Sequence, residues 1–174
     1  MRHGRPLVDP SRPAHEWHLD PAYDDDVRAL RRRLPITARW FSSSEPKAFL
    51  TARLLTEEPI EVVADLREHE RHSAEWIEDF EPVVARAFAE PDLPAYDGWE
   101  PLAQTRRRVV RSVAEIVDRA GETDLVLVGH ATAWTCLVSA LTGHPPDLVA
   151  WANLAMPDVI QCGDPRGRGD MLGS

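Results

Sequence analysis

Apolar and polar positions along the chain alternate with two periods, and the switches between them divide it into short strands and amphipathic helices. The segment "ARWFSSS" (38–44) predicts a short strand running into a serine cluster. "IEVVADL" (60–66) predicts a second strand that ends at an acidic, histidine-rich segment. "DLVLVGH" (124–130) is a continuous apolar run, the signature of a strand that a parallel sheet buries on both faces. "PDVIQC" (157–162) predicts a last strand. Between these runs lie helical patterns at 24–34, 46–58, 74–90, 101–120 and 131–142. The first carries Asp at its start and Arg at its end, as the helix dipole favours. The second has Pro46 at a first-turn position and apolar residues at 49, 50, 54 and 55. The fourth is closed by Gly121. Residues 5–22, rich in Pro, Asp, His and Trp, have no period and predict a long loop, a kind that in compact domains is usually functional. Residues 91–101 form a second, proline-punctuated loop.

Strands alternating with helices imply an α/β sandwich. In such sheets ligands bind beyond the carboxyl ends of the strands. Three places therefore carry the interest: the serines at 42–44, "REHERH" at 67–72, and the Gly129-His130 pair. Each puts polar or titratable groups at the predicted binding edge.

Composition narrows the classes. At 174 residues the chain predicts one domain, taken as 1–162, with a disordered tail at 163–174. A formal net charge of −9 disfavours a nucleic-acid partner. The basic runs "RALRRRL" and "TRRRVVR" fall in helical patterns and read as solvated faces. Cys136 and Cys162 have neither metal-site nor disulfide spacing, and Cys136 reads as a small buried hydrophobe. No secretory pattern and no run of about 20 apolar residues is present, so a cytoplasmic setting away from the membrane is expected. Arg168-Gly169-Asp170 reads as a chance match in a polar tail.

Four blocks fall in a telling order: "RHG" at 2–4, "SSSEPKAFLTA" at 42–52, "DLRE" at 65–68 and "LVGHATAW" at 127–134. Together they resemble the histidine phosphatase superfamily, branch 1, the phosphoglycerate-mutase-like enzymes, from residue 2 to about 160. The resemblance implies a three-layer α/β/α sandwich with a mostly parallel central sheet. It implies a phosphohydrolase acting on a small phosphorylated metabolite through a phosphohistidine, with no cofactor and no metal. A phosphomutase, or a non-catalytic phosphate-binding member, is the alternative, and a homodimer is compatible with all three. By the resemblance His3 is the nucleophile, and Arg2 and His130 line the phosphate pocket. Gly4 lets the backbone approach the anion. Glu68 is the acid, with Glu70 as its alternative.

The chemistry explains the residue types. A neutral imidazole can attack phosphorus and carry the phosphoryl group, splitting one hard step into two. The rest of the work is positioning and charge stabilisation, for which the rigid guanidinium fork is suited. Against this pattern the chain has Lys47 where the family has its second arginine, which keeps charge but loses bidentate geometry. Arg5 is placed to compensate. Asp9 stands where asparagine is common, so it either turns away from the pocket or meets a cation brought by the substrate. Ala131 replaces a usual glycine, and Arg108 reads as structural. The pairs in "HEWH" (15–18) and "HERH" (69–72) lack the HExxH metal pattern. Trp17 and Trp76 are candidates for the substrate rim. In this family an apolar strand precedes the triplet, and here Met1 alone stands before Arg2. The expectation is that the true chain begins several residues earlier with a short apolar strand; if Met1 is the real start, His3 is poorly held and low stability and weak activity are expected.

Overall fold

Three short parallel strands form the centre of the protein, described by a computed structural model over residues 1–72 and 77–163. They are β1 (Arg39–Ser42), β2 (Ile60–Val62) and β3 (Leu125–Val128), in the order β2-β1-β3. Trp40 lies opposite Ile60 on one side and Val126 on the other. The helices are α1 (Asp24–Ala29), α2 (Pro46–Leu55), α3 (Phe80–Ala89), α4 (Leu102–Ala120), α5 (Ala131–Thr142) and α6 (Leu148–Asn153).

Strand alternation decides the layers. Trp40, Val126 and Val128 point to one face and pack with Val27 of α1 and Ala48, Ala52 and Leu55 of α2. Phe41 points to the other, among Val109, Val113 and Ile116 of α4 and Ala133, Trp134 and Leu137 of α5. Helices thus cover both faces, as expected of a three-layer α/β/α sandwich with a parallel sheet. A third cluster joins Val84 and Ala87 of α3 to Trp99, Leu102 and Cys136. There Cys136 is buried as anticipated, and burial pushes its thiol up to about 12.

Several boundaries differ from the pattern-based expectation. The helix expected over 24–34 is α-helical only to Ala29 and tightens into a 3₁₀ turn at Leu30–Arg33. The helix begun at Pro46 stops at Leu55, because Thr56 is extended. The strand at 60–66 ends at Val62 and folds into a 3₁₀ turn at Ala64–Leu66. The helix expected over 74–90 starts at Phe80, after a non-helical Asp79. Residues 73–76, with Trp76, lie outside the described residues, as do 164–174 and the Arg168-Gly169-Asp170 triplet. No strand forms over 157–162. Asp158 makes a single antiparallel bridge with Arg2, and its carboxylate accepts from the Val159 N–H at 2.8 Å, a local bond that competes with a ladder. Helix α6 was not anticipated, and it is capped by Asp147, whose side chain accepts from Ala150 N at 2.8 Å.

Residues 1–3 run extended beside the end of β3. Gly129 N donates to Met1 O at 3.0 Å, His3 N donates to Gly129 O at 3.0 Å, and Arg2 N donates to Asp158 O at 2.9 Å. Trp134 Nε1 adds a bond to Met1 O at 2.7 Å. A Cβ on Gly4 would come within 2.7 Å of both Leu19 and Val27, so glycine there lets the chain press against the core. The predicted loop at 5–22 is tied at its base by Leu7 N to His18 O and Asp20 N to Arg5 O, both at 2.9 Å.

Candidate active site

At the carboxyl edge of the sheet each chain segment delivers polar groups. His3 follows residues 1–2, Ser43 and Glu45 follow β1, Glu68 follows β2 and its turn, and His130 follows β3. They meet around a cavity of 790 Å³ whose lining includes Arg2, His3, Glu68, Arg71 and His130.

His3 is buried, and its Nδ1 lies 2.6 Å from Gly4 O. A carbonyl only accepts, so Nδ1 carries the hydrogen and Nε2 keeps a lone pair. The backbone is fixed in turn, since Gly4 N donates to Thr51 Oγ1 at 2.9 Å and that hydroxyl donates to Lys47 O at 2.7 Å. Burial, then the neighbouring His130 and Lys47, holds the His3 imidazole well below the usual histidine range. His130 is fully buried, and burial pushes it down to about 3 against the opposing pull of Glu68. The two rings stand edge to face with centroids 5.1 Å apart. Near neutral pH both are uncharged.

Ser43 Oγ lies 2.7 Å from His130 Nε2 and accepts from Glu45 N at 3.3 Å. With that N–H taken up, the hydroxyl is free to donate to Nε2 and leave the hydrogen on Nδ1. That Nδ1 is buried without a partner among the described residues, as is Arg2 Nε. Buried polar atoms of this kind ordinarily find partners, so the pair points to a bound acceptor.

Glu68 is pinned by main-chain donors. Oε1 accepts from His69 N and Ala133 N at 2.9 Å, and Oε2 accepts from Thr132 N at 3.1 Å. Two of these are the unpaired N–H groups at the start of α5, which favour a negative charge. Burial alone would raise this carboxyl, but His130, Arg71 and the backbone donors bring it down to about 2. Glu70 is engaged elsewhere, bonded to Arg67 Nε and 3.7 Å from His72. Of the two candidates, Glu68 is the one held beside the histidines.

The cations divide into free and occupied. Lys47 lines the cavity, but its buried ammonium is paired with Glu45 and donates to Ala14 O at 2.7 Å. Arg2 donates through Nη1 to Leu154 O. Arg5 is exposed and stacks over Tyr23 at 4.5 Å. Asp9 turns away, accepting from Ser11 N at 2.9 Å and Ser11 Oγ at 2.6 Å. Trp17 lines the cavity with its Nε1 donating to Asp9 O at 2.9 Å, at the rim position expected of it. His69 is buried against Glu100 O at 2.7 Å and His72 is exposed. Among the described residues no group of three or more His, Cys, Asp or Glu is placed to hold a metal.

Arg108 is structural, as its place in the long helix suggested. It donates to Arg67 O at 2.8 Å, to Glu68 O at 2.7 Å and to the buried Glu100 carboxylate at 2.6 Å. Arg108→Met is expected to cost about 3 kcal/mol by leaving Glu100 buried without its partner. Urea unfolding reads this, and a loss below about 1 kcal/mol would contradict it.

Ser43 and Arg71 lie in stretches the sequence singled out, but neither they nor Glu45 was given a role. Glu45 was findable, because a carboxylate two residues before a lysine in a phosphate block signals a local ion pair. Its Oε1 also accepts from Glu68 N at 2.7 Å and lies 3.4 Å from His130 Nε2, so it ties β1 to the acid.

The protein is thus a parallel α/β sandwich with two neutral histidines, edge to face, and a helix-held carboxylate gathered at the carboxyl edge of its sheet. The profile of the histidine phosphatase superfamily (branch 1) matches residues 1–161, and the chain belongs to that family. Comparison with curated proteins found no match. Among solved structures, a mycobacterial glucosyl-3-phosphoglycerate phosphatase is similar with a TM-score of 0.67 at 22% identity, covering 88% of this chain and 82% of that one. The alpha-ribazole phosphatase of Shigella flexneri gives a TM-score of 0.67 at 17% identity, over 88% and 82%. A phosphoserine phosphatase of Entamoeba histolytica, in complex with 3-phosphoglyceric acid, gives 0.67 at 14%, over 94% and 84%. No described helix is long and apolar enough to cross a membrane.

Proposed function

We propose that the protein hydrolyses a small organic phosphate monoester through a phosphohistidine on His3. The observation that carries this reading is the state of that imidazole, with Nδ1–H given to Gly4 O and an unprotonated Nε2 beside unpartnered donors of Arg2 and His130. In the first step Nε2 attacks phosphorus, the bond to the leaving oxygen breaks, and Glu68 delivers a proton to that oxygen. In the second, water attacks phosphorus, Glu68 takes the water's proton, and the N–P bond breaks to release phosphate. Glu68 is ionised in the resting site. A phosphate brought alongside repels that charge and raises its pKa, and the proton enters with the substrate's monoanion. Arg2 and His130 Nδ1–H stabilise the phosphoryl oxygens.

Hydrolysis is favoured over phosphoryl transfer between carbons by the short insertions around the site, and the phosphatase names of the similar structures agree with it. The pairing of Lys47 with Glu45 favours a second reading, a phosphate-binding member with little turnover. One experiment separates them. With p-nitrophenyl phosphate and a chelator present, turnover and an acid-labile, base-stable phosphoenzyme are expected. Phosphate binding with neither turnover nor label would support the second reading.

A further inference from the structure

Three residues beyond Glu68 the chain presents a second, unclaimed cation. Residues 69–72 are zipped to the segment before α4: Glu100 N donates to Glu70 O at 3.0 Å and His72 N donates to Gly98 O at 2.9 Å. Glu70 N donates to Glu100 Oε1 at 2.9 Å, and Arg71 pairs with Trp99 in an isolated antiparallel bridge. The Arg71 guanidinium packs over two adjoining rings, its Cζ 4.5 Å from the centre of Trp99 and 4.7 Å from that of Phe80. Its contact to the described protein is a long one, Nη2 to Thr132 Oγ1 at 3.4 Å. Its Nε is buried and has no partner among the described residues. Among the described residues no carboxylate lies within ion-pair distance of it, whereas Lys47 and Arg108 are both paired. A held, desolvated and unpaired guanidinium that lines a cavity is a recognition group for an anion.

Its position says which anion. The threonine it touches is the one whose N–H holds Glu68 Oε2, so Arg71 sits beside the acid. In-line displacement puts the leaving oxygen opposite the attacking nitrogen and next to the acid. A cation next to the acid therefore meets the organic part of the substrate. We infer that Arg71 selects phosphate monoesters whose leaving group carries a second anionic group, a carboxylate or another phosphate, close to the ester oxygen. This inference rests on the reading of the cavity as a phosphatase site.

The test compares substrates that differ by that one charge. The carboxylate arm is 3-phosphoglycerate against glycerol 3-phosphate, and the phosphate arm is fructose 1,6-bisphosphate against fructose 6-phosphate. Wild-type protein is expected to favour the anionic member of at least one pair by about 10- to 100-fold in kcat/KM, the size of a charged hydrogen bond. The arm that shows the preference names the group. In Arg71→Met that preference falls to within about threefold, while Arg71→Lys keeps a part of it. Equal rates within both wild-type pairs would overturn the inference, as would a variant that slows both members of the favoured pair alike. Should the wild-type protein turn over none of these compounds nor an aryl phosphate, the phosphatase reading fails. Calorimetric Kd values for the same pairs, on wild type and Arg71→Lys, then decide the role of Arg71 alone: a retained preference for the charged member supports it and equal affinities refute it.

Discussion

His3→Ala is expected to abolish turnover, lowering kcat/KM by roughly 10⁴- to 10⁶-fold, the range seen when a covalent nucleophile is removed. Nothing nearby can replace it. His130 Nε2 is engaged by Ser43, and its ring is held edge-on, 5.1 Å between centroids. The same substitution has an opposite effect on acid tolerance. Unfolded histidine takes a proton as pH falls through about 6.5, whereas folded His130 resists to about 3, and His3 is also held well below its usual range. Between those limits the unfolded chain binds more protons, so stability is full above about 6.5 and declines as pH falls. Tm should therefore drop between pH 7 and pH 5 in the wild type, and drop less in His3→Ala. Residual turnover above about one per cent, or an identical pH slope of Tm, would contradict the assignment.

Glu68→Gln is expected to lower kcat by about 10²- to 10⁴-fold on an alkyl phosphate, whose leaving alkoxide needs a proton. On p-nitrophenyl phosphate the first step needs none, so the loss there should be far smaller unless the second step limits. Equal losses on both substrates would assign Glu68 to holding the site rather than to proton transfer. Stability supplies an independent reading. Because the folded carboxyl sits near 2, its contribution is present above about pH 4.5 and is lost as pH falls toward 2. The glutamine variant lacks that contribution at neutral pH, and it offers N–H groups where Thr132 N–H requires an acceptor.

The three strands of the sheet were legible because each is a local apolar run, and His130 because it ends one; the places of His3 and Glu68 came from the resemblance. "LVLVGH" carries both the burial of β3 and the delivery of His130. The pairing of Lys47 with Glu45 was half-visible, since two charges lie two residues apart, but its consequence needed the third partner, Ala14 O, from a distant loop. Arg71 lies in a stretch already singled out, but its surroundings were hidden for a stronger reason. Its environment is made by Trp99, Phe80 and Thr132, which are 28, 9 and 61 positions away and are joined only by tertiary folding. The strand expected over 157–162 failed for want of a ladder, because Asp158 satisfies the next amide with its own side chain.

Glu68 hangs from the first amides of the same helix whose N-cap is His130, so acid and histidine belong to one rigid body. His3 joins that body through its main-chain bond to Gly129. Arg5 and Trp17 reach the cavity from the 5–22 loop, which is tied at its base to itself, whereas Arg71 shares a segment with Glu68 and touches Thr132 of that same helix. The loop side of the rim can therefore be altered without disturbing the register of acid and histidines, and a change at Arg71 is felt within that rigid body.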